Sequence, residues 1–222
     1  MNTLKGPLRI VSREMSLTFY INTGITIALL LLFMFLSTKL DGSNEMIGLI
    51  FGPFYIVFLT FAFIFFKSYK FILALGGTRQ QFMLSSYIAG LFYILASALV
   101  LTAMHYLGKA IFENGYVFHM ADILPNANPA MYFWVDFLWL FILFGIGMFA
   151  QVINFNLGAI RSLIIAAIII LGSITAYFFI DLAPLFEFFI NDYLLFLHLL
   201  ALGSLILMTL SFFMMKNAPL ER

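Results

Sequence analysis

Six long apolar blocks, at about 17–38, 47–66, 82–107, 131–150, 162–180 and 193–215, alternate with short polar breaks along the chain. Each is as long as a helix needs to cross the hydrocarbon core of a bilayer, roughly 17–25 residues. None shows the two-residue alternation of a barrel strand, and a lone strand in lipid would leave its backbone polar groups unsatisfied. The pattern predicts an all-α membrane protein with six transmembrane helices, residues 1–222 forming a single transmembrane domain.

Ahead of the first block a second periodicity appears. Leu4, Leu8, Val11 and Met15 recur at intervals of four, three and four, while Lys5, Arg9, Ser12 and Ser16 fall on another face. This predicts an amphipathic interfacial helix over 1–16, lying on a leaflet with its cations among anionic headgroups. The plainer alternative is a basic tail that only fixes topology. The block that follows is too long for a signal-peptide core and no small-x-small cleavage site follows it, so it is expected to remain as a span.

The break between the second and third blocks, KSYKFILALGGTRQQF from Lys67 to Phe82, carries three cations and no anion. Its apolar residues predict a turn of helix from about Ser68 to Leu75. Gly76 and Gly77 suit the positive-φ end of such a helix. Thr78 and Gln81 then have the spacing of a capping box that starts the next one. A compact helix showing apolar side chains beside cations fits docking into a partner's groove. It equally fits a tight turn seated in the headgroup region, and the residues leave both open. The longest break, 108–130, holds the turn signals Asn114-Gly115 and Pro125-Asn126 and is expected to form a short helix plus an irregular segment.

Composition sharpens the picture. The chain is 64% hydrophobic, 18% aromatic and 9% charged, whereas a soluble domain carries about 25% charged residues. It has no cysteine, which excludes disulfides, thiolate metal sites and a cysteine nucleophile. Lys5, Arg9, Arg13, Lys67, Lys70, Arg79, Arg161, Lys216 and Arg222 fall on one side of the six-span layout, and only Lys39 and Lys109 on the other. Asp41, Glu45, Glu113, Asp122, Asp136, Asp181, Glu187 and Asp192 lean to that second side. The bias of Lys and Arg toward the cytoplasm predicts that both termini, and the Lys67–Arg79 break, are cytoplasmic.

Candidate chemistry is sparse. No phosphate-cradling G-x-x-x-x-G-K-[ST] is present, nor H-E-x-x-H or G-x-S-x-G, and His119-x-x-Asp122 matches no recognised catalytic spacing. No catalytic residue, metal site, cofactor or nucleic-acid contact is expected. Asp136, near Trp134 and Trp139, reads as an interfacial acid in an aromatic belt, with a gate or substrate contact as the sharper alternative. His105, His119 and His198 read as polar packing at the bundle or interface, with a metal or pH role as the sharper alternative. Gln151, Asn154 and Asn156 read as a polar inner loop or as a second contact with a partner. Ser86 with Gly90, and Ser162 with Ala166, have the spacing of close helix approach. Gly145 and Gly147 are placed for ordinary bundle packing, with bending of the fourth span as the sharper alternative.

The segment LALGGTRQQF, just after the second of six spans, resembles the coupling-helix region of small bacterial ABC exporter permeases of the type-2 family. The 1–16 segment resembles their elbow helix. The layout matches over the whole chain and the motif over roughly fifteen residues. The resemblance implies a permease in the bacterial cell membrane, with ATP hydrolysed by a separate ATP-binding cassette subunit. It also implies a second permease subunit, as a homo- or heterodimer. It places Lys67, Lys70, Phe71, Leu73, Leu75, Gly76, Gly77, Thr78 and Arg79 against the ATPase, the glycines setting the angle and Arg79 pairing with its acidic residues. A path with so few ionised groups disfavours a small, highly charged solute. The 29 Phe and 12 Met suit an apolar or amphipathic cargo such as a peptide, an antibiotic or a lipid-like molecule. Rival classes are an ATP-independent carrier or channel, which should hold a buried ion-coupling acid, and a membrane sensor or scaffold.

Overall fold

The computed structural model describes residues 4–39, 52–111, 119–216 and 218. Among these the chain is helical throughout its ordered elements and forms no strand. Helix α1 spans Lys5–Lys39, α2 Gly52–Phe65, α3 Tyr69–Ala74, α4 Arg79–Ile111, α5 Pro129–Leu157, α6 Ala159–Phe179, α7 Ala183–Asn191 and α8 Tyr193–Lys216. Single 3₁₀ turns occupy Phe66–Ser68 and Met120–Ile123. Six stretches are long and apolar enough to cross a membrane: Lys5–Leu32, Phe54–Ala74, Arg79–Ala110, Pro129–Leu157, Ala159–Phe179 and Tyr193–Lys216.

The N-terminal expectation needs correction. Among the described residues no break sets an interfacial helix apart from the first span, because α1 runs unbroken from Lys5 to Lys39. Neither Gly nor Pro occurs between Leu8 and Thr23 to interrupt it. The buried stripe Val11, Met15, Asn22, Thr26 and Leu30 continues from the tail into the span on one helix face. That face packs on α4 and α2. Tyr93 donates from its hydroxyl to the Ser12 carbonyl at 3.0 Å, and its ring lies 5.5 Å from that of Phe19. Lys5, Arg9 and Arg13 remain exposed on the far side.

Helix α5 is the centre of the bundle, packed on α2, α4 and α8. Missing side chains let the backbones close in. A Cβ on Gly90 would enter the ring of Phe144, one on Gly145 would strike the Ser204 hydroxyl, and one on Gly147 would strike the Leu59 carbonyl. Gly145 and Gly147 therefore serve close helix approach rather than bending, while Gly90 packs as its spacing suggests. Along α2, Phe54, Phe58, Phe61 and Phe65 form a buried aromatic ladder at helical intervals, with Phe58 and Phe61 at 4.4 Å.

Helix α6 departs from this core. It leaves α5 at Gly158, whose φ of +85° suits a residue without a side chain, and it buries no residue against the rest of the chain. The Ser162–Ala166 pair thus makes no buried packing contact within the described chain. Helix α7, with Pro184 in its first turn, occupies a region that the hydropathy pattern leaves as a connection.

The two ends of the bundle differ in chemistry. At one end the start of α1 lies beside Gly76 and Gly77, Tyr69 of α3 lies 4.8 Å from Phe155 of α5, and Arg79 of α4 reaches Lys216 of α8. At the opposite end the starts of α2, α5 and α8 meet the last turns of α4 and the 119–124 segment. The cation-rich breaks of the sequence fall at the first end, Lys109 and Asp122 at the second.

Candidate functional site

Two constellations stand out, one at each end. The first is the Lys67–Phe82 break. Helix α2, the 3₁₀ turn and α3 follow one another without interruption, so the expected short helix prolongs the second span instead of standing apart from it. It stops at Leu75. The N–H of Gly76 donates to the Leu73 carbonyl at 3.0 Å and that of Gly77 to the Ile72 carbonyl at 2.9 Å, the paired bonds of a Schellman cap. Gly76 takes φ of +83°, and a Cβ on Gly77 would lie 2.7 Å from the Ile72 side chain and 2.8 Å from its carbonyl oxygen. Helix α4 then begins with the capping box: Thr78 N–H donates to Gln81 Oε1 at 2.8 Å and Gln81 N–H to Thr78 Oγ1 at 3.2 Å.

The outward face of this element carries Lys67, Lys70, Phe71, Leu75 and Thr78, with Phe71 56% and Leu75 66% exposed. Its underside is locked down. Tyr69 and Ile72 are buried, and the Tyr69 ring lies 5.1 Å from Phe82 and 4.8 Å from Phe155. Leu73 is half-buried against the core. Arg79 is also half-buried and donates to the Lys216 carbonyl at 3.0 Å, where a cation complements the C-terminus of α8. Of the nine residues of interest in the sequence, the structure thus presents the cations at 67 and 70 with Phe71 and Leu75. Beside them a cleft of about 310 Å³ lies between Pro7 and Ile10 of α1 and Ile72, Leu75 and Gln81.

The second constellation is built around Asp136, which is wholly buried rather than interfacial. Asn128 caps α5 by accepting from the Met131 N–H at 2.9 Å, and this start places Tyr132 and Asp136 on one face, four residues apart. The 119–124 segment folds back over that face. His119, also wholly buried, sets its Nε2 3.0 and 3.1 Å from the two Asp136 oxygens. The Tyr55 hydroxyl of α2 donates to Asp136, and Thr102 of α4 lies 3.5 Å away. The other nitrogen of His119 fixes its own segment: Ala121 N–H donates to Nδ1 at 3.0 Å, while His119 N–H donates to Asp122 Oδ2 at 2.8 Å. Since Nδ1 accepts, the neutral ring carries its proton on Nε2 and gives it to Asp136.

Around this core, Tyr132 donates to Asp122, and Lys109 lies 4.0 Å from Asp122 and 3.3 Å from the Tyr132 hydroxyl. His105 stacks on Tyr132 at 4.5 Å and lies 4.9 Å from the His119 ring, and among the described residues neither of its ring nitrogens has a hydrogen-bond partner. The two tryptophans near Asp136 engage other groups. Trp134 donates to His198 at 3.1 Å and Trp139 to the Tyr193 hydroxyl at 2.9 Å. Gln151 and Asn154, 3.3 Å apart, stay within the last turns of α5. No group of three or more His, Cys, Asp or Glu among the described residues is arranged to hold a metal ion.

No model of a known family matches the chain, and comparison with curated proteins and with solved structures gives no significant match. The chemistry of the two ends is therefore the ground for a functional reading. One end offers a rigid apolar and cationic protrusion. The other holds a carboxylate inside a bundle of helices long and apolar enough to cross a membrane, met by N–H and O–H donors.

Proposed function

We propose that the chain is the transmembrane subunit of a transporter in the bacterial cell membrane, powered by a separate ATP-binding cassette subunit. The observation that carries this reading is the α3 element. It is a short helix with Phe71 and Leu75 exposed on the face that also carries Lys67 and Lys70, capped on both sides of its turn, and keyed to α4 and α5 by Tyr69. A force applied there reaches α2 directly, because the two helices are continuous, and reaches α4 through the double cap. Apolar side chains beside cations suit a groove with an acidic edge. In this reading the cation-rich end faces the cytoplasm, as the distribution of Lys and Arg favours. Leu73 and Arg79 serve the element's own packing more than the contact. A second permease subunit, identical or related, completes the path, and α6 is the span with surface to offer it. The cargo is apolar or amphipathic. Purification of the full chain from its native host in mild detergent tests the reading: a P-loop ATPase should accompany it in fixed proportion. Its absence, with the chain itself intact and monodisperse, would remove the support.

Asp136 favours a second reading, a carrier coupled to a proton gradient without an ATPase. A wholly buried acid in a span is the feature such a carrier requires. Vesicles holding the purified chain alone separate the two: cargo movement driven by a pH gradient, without nucleotide, belongs to the carrier.

A further inference from the structure

The cleft at the cation-rich end, about 310 Å³, lies between the start of α1 and the turn that joins α3 to α4. Its lining is graded with depth. Gly6 and Pro7, in the first turn of α1, stand at the mouth with Gly76 and Gly77 of the turn. About one helical turn deeper along their helices lie Ile10, Ile72 and Gln81. Ile10 and Ile72 make that level apolar. Gln81 adds a donor: its Oε1 already accepts from the Thr78 N–H at 2.8 Å, so what it has left to offer is the amide NH₂. Charge on the surrounding elements is one-sided. Lys5, Arg9, Lys67 and Lys70 are exposed, and among the described residues of α1 to α4 Glu14 is the only acid. Beyond Arg13 and Glu14, the side of α1 that bears Ile10 shows Leu17 and Ile21, 66% and 54% exposed.

We propose that this cleft is a binding site for one anionic phospholipid. The phosphate sits at the mouth, where the cations of α1 and of the 67–70 stretch offset its charge. The ester carbonyls, one level below a phosphate, accept from Gln81. An acyl chain covers Ile10 and Ile72 and continues along Leu17 and Ile21. Size favours a lipid over an enclosed solute. The volume is at the low end for ligand sites, roughly 300–1,000 Å³, and a lipid needs only part of one chain held there. Charge favours an anionic headgroup over a zwitterionic one, since basic pockets between spans take anionic heads. Seated there, the lipid bridges α1 to the turn that ends α3. The site borders the face that α3 offers to an ATPase, yet it stands apart from that reading, because it needs only a bilayer.

Gly6 gives a test that leaves the fold alone. It lines the cleft, and a Cβ there meets nothing within 4 Å. Any ordinary side chain at that position also improves on glycine as a helix former. Gly6→Glu brings a carboxylate to the mouth, and an acid in the first turn of α1 suits the helix dipole. Gly6→Lys brings a side chain of similar reach and opposite charge. The purified full chain and both variants are equilibrated in neutral-detergent micelles holding equal amounts of phosphatidylglycerol and phosphatidylcholine, and the lipid each retains is counted by native mass spectrometry. The parent should keep one phosphatidylglycerol, preferred over phosphatidylcholine by at least about fivefold, the worth of one cation beside an anionic surface. Gly6→Glu should bring the preference to parity, and Gly6→Lys should keep it. Soluble glycerol 3-phosphate, which has no chain for Ile10 and Ile72, should not displace the lipid. A parent without the preference, a Gly6→Glu chain that retains it, a Gly6→Lys chain that loses it, or displacement by glycerol 3-phosphate each overturns the proposal.

Discussion

Arg79 and Lys216 lie 137 positions apart, yet the guanidinium of the first donates to the backbone carbonyl of the second at 3.0 Å. The start of the third span is thereby tied to the end of the last. With Tyr69 against Phe155 and Gly76 beside Pro7, this bond helps gather five helices, α1, α3, α4, α5 and α8, at the cation-rich end. The orientation proposed from the distribution of Lys and Arg can be tested on a chain free of cysteine. In intact cells an impermeant thiol reagent should label Lys109→Cys and leave Lys70→Cys untouched until the membrane is opened. The reverse pattern would invert the orientation.

The double cap of the break should be sensitive in a specific way. Gly76→Ala puts a side chain at φ of +83° with open space around it, so its penalty is conformational, about 1 kcal/mol. Gly77→Ala meets Ile72 itself and should cost more. Thermal unfolding in detergent should rank the two in that order, both below the unsubstituted chain.

Close approach in the core predicts a sharper contrast. Gly147→Ala drives a methyl into the Leu59 backbone, where no side chain can rotate aside, and should abolish the monodisperse folded form. Gly172→Ala on α6 has nothing within 4 Å and should be silent. Size-exclusion profiles of the two variants suffice to compare them.

How much of this was legible in the chain depends on range. The six apolar blocks are local signals, and so is the Thr78–Gln81 box, and both have counterparts in the structure. The unbroken α1 was not legible as such, because an amphipathic tail and a packed helix share one periodicity; what separates them is Tyr93, on another span. Asp136 was read as interfacial for a similar reason. Its burial requires His119, 17 positions away, to fold back across the end of α5, and no short pattern encodes that. Two weak signals were available: Thr102, His105 and Lys109 share a face of α4, and Tyr132 and Asp136 share one of α5. Hydropathy alone also could not show that α6 buries nothing, since lipid and protein ask for the same residues.

The Asp136 network carries its own stability prediction. Asp136→Ala leaves the His119 and Tyr55 donors without their acceptor in a buried site, at about 1–3 kcal/mol for each group left unsatisfied. Tyr55→Phe removes one donor and should cost less. Because both variants act on one carboxylate, their effects should not add. A double variant whose unfolding temperature falls by the sum of the two would contradict the shared site.

The central claim is that α3 is the handle gripped by an ATPase. Phe71→Asp with Leu75→Asp replaces two exposed side chains, so the fold should survive while the docking face is lost. The direct measurement is the amount of P-loop ATPase recovered with this variant and with the unsubstituted chain, each purified in mild detergent. The account predicts stoichiometric recovery with the parent and a loss of at least about tenfold with the variant, the effect of removing two anchors from an interface. Equal recovery from both would contradict it.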